Sequence, residues 1–233
     1  MSRPLFTLDP RLTLCARLIR GGRPFCDIGS DHAYLPIWLL KSGKVPAALA
    51  TDLREGPLQS AAEHARRYGV ADRLALRLSD GFERVAPEEA EDIVIAGMGG
   101  ELILRIVEAA PWLKDERYLL VLQPMSSAEI LRVGLLRLGF ALLEEYAVLD
   151  AGRPYSAFSA RFVGNPGPQS VLYPFIGKLS PDEEAARVYA AKVLRDLKGR
   201  LEGARRGRGE WSAEKLEMII QVLQTEFLSG SKE

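Results

Sequence analysis

Five stretches of this 233-residue chain hold residue types suited to gripping a small ligand. They are CDIGSDHAYLP at 26–36, Asp52, Ser79-Asp80-Gly81, Ala96-Gly97-Met98-Gly99-Gly100 and Gln123-Pro124-Met125. In Asp27-Ile28-Gly29-Ser30-Asp31, the glycine lets a ligand approach the main chain, and a helix start would offer free N–H groups. By itself this is equally an ordinary tight turn, and it is not G-x-G-x-x-G. Asp52 stands 25 residues after Asp27, where a carboxylate can take both ribose hydroxyls of an adenosine cofactor. Asp80, before Gly81, could accept from an adenine amino group. Each carboxylate alone reads as a helix cap or turn residue. Acidic turns after three successive apolar runs make the adenosine reading the stronger one.

Three glycines in the four positions Gly97 to Gly100 mean a backbone pressed against something. That something is the reactive end of the cofactor, a flat base reaching Gly99, or a helix packed close on the sheet. The Gln123 amide suits hydrogen bonding to a base edge, and Pro124 stiffens the rim. Ser30, Asp31 and His32 are neighbours in sequence and lack G-x-S-x-G, so they do not read as a hydrolase triad. His32 reads as structural or cofactor-lining at least as readily as catalytic, and Tyr34 as a stacking ring or a core residue.

The elements that must position these residues follow from apolar patterning. PFCDIG, AALATD, RLALRLSD, DIVIAG and RYLLVLQP read as buried strands ending in polar or Gly-rich turns. IWLLKSG, GPLQSAAEHARRYG, GELILRIVEAAPWL and AEILRVGLLRLG between them have helical spacing, and the helix over 57–69 opens at Gly56-Pro57 and closes on Gly69. This alternation predicts an α/β fold with a mainly parallel sheet and helices on both faces. FALLEEYAVLD and RPYSAFSARFVG, joined at Ala151-Gly152, predict a terminal antiparallel hairpin. Residues 164–181 read as a Gly/Pro-rich linker, and 182–233 as a helical hairpin of coiled-coil type. Its stripes are Ala186, Ala190, Val193, Leu197, Leu201 and Leu216, Ile219, Ile220, Leu223, Phe227, with the turn at 203–210.

Composition narrows the class. Apolar residues make up 47 %, enough for a sizeable core, and no run is long enough to cross a membrane. The N-terminus has no signal-peptide layout, so the cytoplasm is expected. Cys15, Cys26, His32 and His64 are too few for a disulfide framework or a zinc site, so no metal is expected and both cysteines read as buried. Net charge is zero, but residues 1–26 carry five Arg against one Asp, and 187–208 carry eight Lys and Arg against Asp196 and Glu202. Such segments suit a polyanion as well as they suit solvated helix faces.

DIGSDHAYLP, the GPL-x-SA helix start, the DG pair, IVIAGMGG and LQP together resemble the bacterial tRNA (adenine-22-N1) methyltransferase family over nearly the whole chain. The resemblance implies a Rossmann-like catalytic domain over 1–163, S-adenosyl-L-methionine as cofactor and tRNA as substrate. It places Asp27, Gly29, Ser30, Asp31, His32, Asp52, Asp80, Gly81, Ala96, Gly97 and Met98 against the cofactor. Asp31 becomes the candidate catalytic carboxylate. Tyr34, Gly99, Gln123 and Pro124 would face the base, and Arg205, Arg206 and Arg208 the phosphates. Neither a protein partner nor an oligomeric state can be read from the residues. Rival readings are another RNA or small-molecule methyltransferase on the same scaffold, or a binding protein with a vestigial cofactor fold. A nicotinamide dehydrogenase ranks third, for want of G-x-G-x-x-G.

Overall fold

The computed structural model describes residues 4–208 and 211–228. Seven strands form one sheet in the order β3-β2-β1-β4-β5-β7-β6: β1 Phe25–Ile28, β2 Ala48–Asp52, β3 Leu74–Leu78, β4 Asp92–Gly99, β5 Leu119–Ser126, β6 Phe140–Asp150 and β7 Arg153–Phe162. The first five pair in parallel, and β7 inserts antiparallel between β5 and β6. The two-residue turn of the β6–β7 hairpin has positive φ at both Ala151 (47°) and Gly152 (74°), the geometry that matches strand twist. A mainly parallel sheet closed by a hairpin is what the apolar runs predicted.

Alternate residues of the central strands feed two cores. Cys26, Ile28, Ile93, Ile95, Leu120 and Leu122 face α4 (Gly100–Glu108) and α5 (Ala128–Arg137). Phe25, Ala50, Val94 and Val121 face α1 (Pro10–Leu18), α2 (Tyr34–Lys41) and α3 (Glu55–Tyr68). Because helices cover both faces, these strands have no polar alternation and stand out as apolar runs. Helix α3 starts at Glu55, slightly before Gly56-Pro57, and ends on Gly69 in the left-handed conformation as expected. Cys15 and Cys26 are buried, and burial pushes both thiols up.

Helix α1 lies outside the elements read from the sequence. The Asp9 carboxylate accepts from the Leu12 N–H at 2.8 Å and Pro10 occupies the first turn, a standard helix start. It also explains the N-terminal arginines. Arg11 pairs with Asp150, Arg20 with buried Asp92 and Arg23 with Glu91, while the Arg17 guanidinium sits 3.7 Å from the centre of the Tyr146 ring. Arg3 lies outside the described residues. The four described arginines of this segment thus tie α1 and its flanks to the sheet.

The segment 164–181 begins as the Gly/Pro-rich stretch its composition suggests, but it includes the helical turn α6 (Tyr173–Ile176), which buries Tyr173, Phe175 and Ile176. Phe175 and Ile176 join a third core with α7 (Glu184–Arg205) and α8 (Ala213–Leu223), whereas Tyr173 packs in the core beneath α4 and α5. Helix α7 packs against α8 and also against β6 and β7. Gly209 and Glu210 of the turn lie outside the described residues. No helix among the described residues is long and apolar enough to cross a membrane.

Candidate functional site

The strand order reverses direction between β1 and β4, and in open α/β sheets ligands bind at the carboxyl ends of strands beside such a point. Every residue singled out in the catalytic part of the sequence lies there, at or just after the ends of β1 to β5.

The turn after β1 is held in an unusual backbone. Gly29, Asp31 and Ala33 have φ of +71°, +51° and +56°. Gly29 is favoured by its φ, and the Met98 methyl group packs so close to it that a Cβ there would lie 2.0 Å away and the flexible methionine would have to shift. Asp31 tolerates the left-handed region as aspartate often does, and its N–H donates to an Asp52 carboxylate oxygen at 3.1 Å. The other Asp52 oxygen accepts from the Arg54 N–H at 2.9 Å. Two of the roughly four lone-pair positions of Asp52 are thereby used, which fixes the carboxylate and leaves acceptor capacity for hydroxyls.

Asp27 is only 6 % exposed. Its hydrogen-bonding partner is the Ser30 hydroxyl, which donates at 2.6 Å. Burial pushes its carboxyl up to about 7; the Ser30 bond opposes this rise and nearby Asp52 adds to it. A buried carboxylate so sparsely paired is stabilised in its charged form by any cation brought beside it.

Asp31 directs its carboxylate outward, with the His32 ring nitrogen 3.6 Å away. Tyr34, at the start of α2, is 43 % exposed. Its ring meets those of Phe6, His32 and His64 at centroid distances of 5.7, 5.9 and 5.3 Å. Tyr34 is therefore a supported surface ring beside the turn, not a core residue. Asp80 and Gly81 line a cleft of about 660 Å³ whose wall combines apolar Leu53, Leu102 and Ile106 with charged Glu83 and Arg105.

The glycines at the end of β4 and the start of α4 have separate reasons. Gly97 has φ +76°. Gly99 faces the Ser126 hydroxyl, and a Cβ on Gly100 would meet the Ser127 carbonyl oxygen at 2.3 Å. The helix-packing reading therefore accounts for Gly100, whose main chain is pressed on the turn into α5. Ala96 and Met98 pair with Gln123 and Pro124 across irregular register.

Gln123 departs from its expected role. It is 2 % exposed, its carbonyl oxygen accepts from the Gly97 N–H at 3.1 Å, and its amide donates to the Pro124 carbonyl at 3.0 Å. The amide holds the glycine turn from behind instead of facing a base. Arg205, Arg206 and Arg208 are exposed at the end of α7, and Arg205 is paired with Glu217 at 2.6 Å. The basic side chains that α7 brings beside Pro124 are instead Lys192 and Arg200. Both sit in the basic run, but side-chain direction on one helix cannot be separated by composition. Among the described residues no cluster of three or more metal-ligating side chains occurs.

Comparison with known proteins agrees with this geometry. A methyltransferase-domain family model matches residues 8–158. The tRNA (adenine(22)-N(1))-methyltransferase of Bacillus subtilis is 36 % identical over 153 residues, which are 66 % of this chain and 64 % of that protein. The match thus spans less than two thirds of that relative's length. The solved B. subtilis adenine-22-N1 tRNA methyltransferase superposes with a TM-score of 0.80 at 28 % identity, covering 96 % of this chain and 100 % of the other. A Streptococcus pneumoniae protein solved in complex with S-adenosyl-L-methionine gives 0.79 at 28 % identity, over 95 % and 100 %.

Proposed function

The chain belongs to the methyltransferase-domain family, and on that premise we propose that it transfers a methyl group from S-adenosyl-L-methionine to N1 of adenine 22 in bacterial tRNA. The observation that carries this reading is the convergence of Asp27, Asp52 and Asp80 with the Gly29–Met98 contact at one end of the sheet. The names and coverage of the relatives narrow the substrate.

The residues present fit the cofactor. Asp27, desolvated and bonded to Ser30, suits a cationic group. Asp52 retains acceptor capacity for ribose hydroxyls, and Asp80 borders a cleft of mixed apolar and charged lining with room for a purine. The cofactor supplies a methyl group already activated on a sulfonium. Adenine N1 carries a free lone pair, so no strong base is needed to make the nucleophile. The chain's task is to place N1 in line and relieve the positive charge left on the product base. The outward Asp31 carboxylate suits the second task by accepting from the exocyclic amine, and Tyr34 presents a face on which the base stacks. In a paired stem N1 is covered, so the base must leave the helix to reach this site. A tRNA substrate implies the cytoplasm as the place of action.

The test is nucleoside mass spectrometry on tRNA incubated with protein and methyl donor. Transcripts with adenine at position 22 should yield N1-methyladenosine, and transcripts with guanine there should not. Methylation at another atom, or none, overturns the reading. The C-terminal arginines give a second expectation. Charge reversal of Arg206 and Arg208 should weaken tRNA binding and flatten its logarithmic salt slope by about two, at roughly 0.9 per phosphate contact. Filter binding across a salt series reads both, and an unchanged slope removes these residues from the RNA contact.

A further inference from the structure

A second cleft, of about 290 Å³, opens where α7 crosses the end of β5 and the β6–β7 hairpin. Its volume is close to the lower limit, roughly 300 Å³, of small-ligand pockets. One wall is Pro124, and Pro124 pairs with Met98 across the irregular end of β4 and β5, while Met98 packs on Gly29. Neighbouring strands lie about 5 Å apart, so the cleft begins two strand spacings, roughly 10 Å, from the turn after β1 and next to the end of β4. A ligand in it would be the immediate neighbour of the base being methylated.

The lining has the mixed character of a nucleotide's complement. Tyr155 offers a half-buried ring at one side, steadied by the Arg11 guanidinium 5.5 Å from its centroid. Across from the β5 wall, α7 contributes Lys192, Asp196 and Arg200, two cations on either side of one carboxylate. Arg200 is half-exposed and pairs with Glu129 at 2.5 Å. An RNA phosphate is a competing partner for Arg200, and Glu129, once released, is free to accept from the donor edge of a base. The floor is rigid: Tyr189 and the Phe175 carbonyl are bonded to buried Arg132, so the site is formed before the ligand arrives.

We propose that this cleft binds the unpaired nucleotide flanking the target adenine, with Tyr155 stacking on its base and Arg200 and Lys192 taking its phosphate. The inference rests on the tRNA-methylation reading above. It assigns to the cleft the task of keeping the strand splayed while the target base occupies the methyl-transfer site.

Steady-state methyl transfer tests it, with tRNA transcripts intact or made abasic at each neighbour of position 22 in turn. Tyr155→Ala and Arg200→Gln should each raise the KM for tRNA about tenfold, in the range of one lost base stack. The kcat and the affinity for S-adenosyl-L-methionine should stay unchanged, and Tyr155→Phe should retain the wild-type KM. Removing the flanking base and removing Tyr155 should not add, since both delete the same contact. Arg200 is on the surface, so Arg200→Gln stays informative even where Tyr155→Ala lowers stability. An active wild type whose tRNA KM is unmoved by both variants, or fully additive effects at both neighbours, overturns the cleft assignment alone. A wild type that methylates no tRNA overturns both readings.

Discussion

Asp27→Asn is expected to stabilise the ligand-free protein at alkaline pH while lowering its affinity for S-adenosyl-L-methionine at least about 30-fold. The two effects share one cause. The Asp27 carboxyl is pushed up from 3.8 to about 7, chiefly by burial. Between those values the folded protein holds a proton that the unfolded chain has released, so stability falls as pH rises across that window. Above pH 7 the folded protein carries a desolvated carboxylate whose cost reaches about 4 kcal/mol at roughly 1.4 kcal/mol per pH unit. Asparagine is neutral throughout and can still accept from Ser30. The variant should therefore match the wild type near pH 4 and melt several degrees higher at pH 8. Its cofactor binding should suffer, because truncating one member of a desolvated charge pair costs about 2 to 5 kcal/mol. Wild-type affinity should also rise with pH through 7, whereas the variant's should stay flat. Thermal melts and calorimetric titrations at pH 5, 7 and 8 read all three quantities. A variant that binds as well as the wild type at pH 8 would remove Asp27 from the cofactor site.

The same carboxylate shows how far the residues alone could carry the reading. Asp27, Asp52 and Asp80 were legible because strands buried on both faces end abruptly, so a charge at the end of an apolar run marks the sheet's edge. Asp9-Pro10 marks the start of helix α1, but the arginines spread along the segment suit a polyanion as well as they suit partners on the sheet. Arg20 could not be matched to Asp92 across 72 residues without the sheet to bring them together. Gln123 was read as facing a base because its amide can do so, yet the outcome depended on which way the side chain turned from an irregular strand pair. Glu145 was hidden differently. Phe140 and Leu142 point inward, and strict alternation would continue with Glu144 and Tyr146. A register shift between Leu142 and Glu145 instead turns Glu145 and Ala147 inward, as a bulge does.

That inward Glu145 has a partner equally concealed, for Arg132 in an amphipathic helix reads as solvent-facing. Both side chains are fully buried, 2.6 Å apart. Arg132 also donates to the carbonyls of Pro174 and Phe175, to Ser156 and to Tyr189, while the Lys178 N–H donates to Glu145. One guanidinium thus joins α5, β6, β7, α6 and α7, and Gly177 leaves no room for a Cβ between the pair. Burial would lower the Arg132 pKa, but Glu145 and Tyr189 outweigh it and raise it. Arg132→Met should therefore cost about 3 to 5 kcal/mol by leaving Glu145 buried and unpaired. For a chain of this size that is a fall in melting temperature of roughly 10 °C. Adding Glu145→Met removes the orphaned charge and should recover most of the loss, since a buried ion pair replaced by apolar groups is often near neutral. The unfolding profile also tests the domain boundaries read from the sequence. If 182–233 is a unit held to the catalytic domain mainly through this network, Arg132→Met should split one calorimetric transition into two. The cofactor should then stabilise only the transition of the catalytic domain, because α7 packs on α8, β6 and β7, whereas the carboxylates proposed to hold the cofactor lie at or just after the ends of β1, β2 and β3. A single transition, lowered as a whole and raised as a whole by the cofactor, would mean that α6 and α7 belong to the catalytic domain's own core.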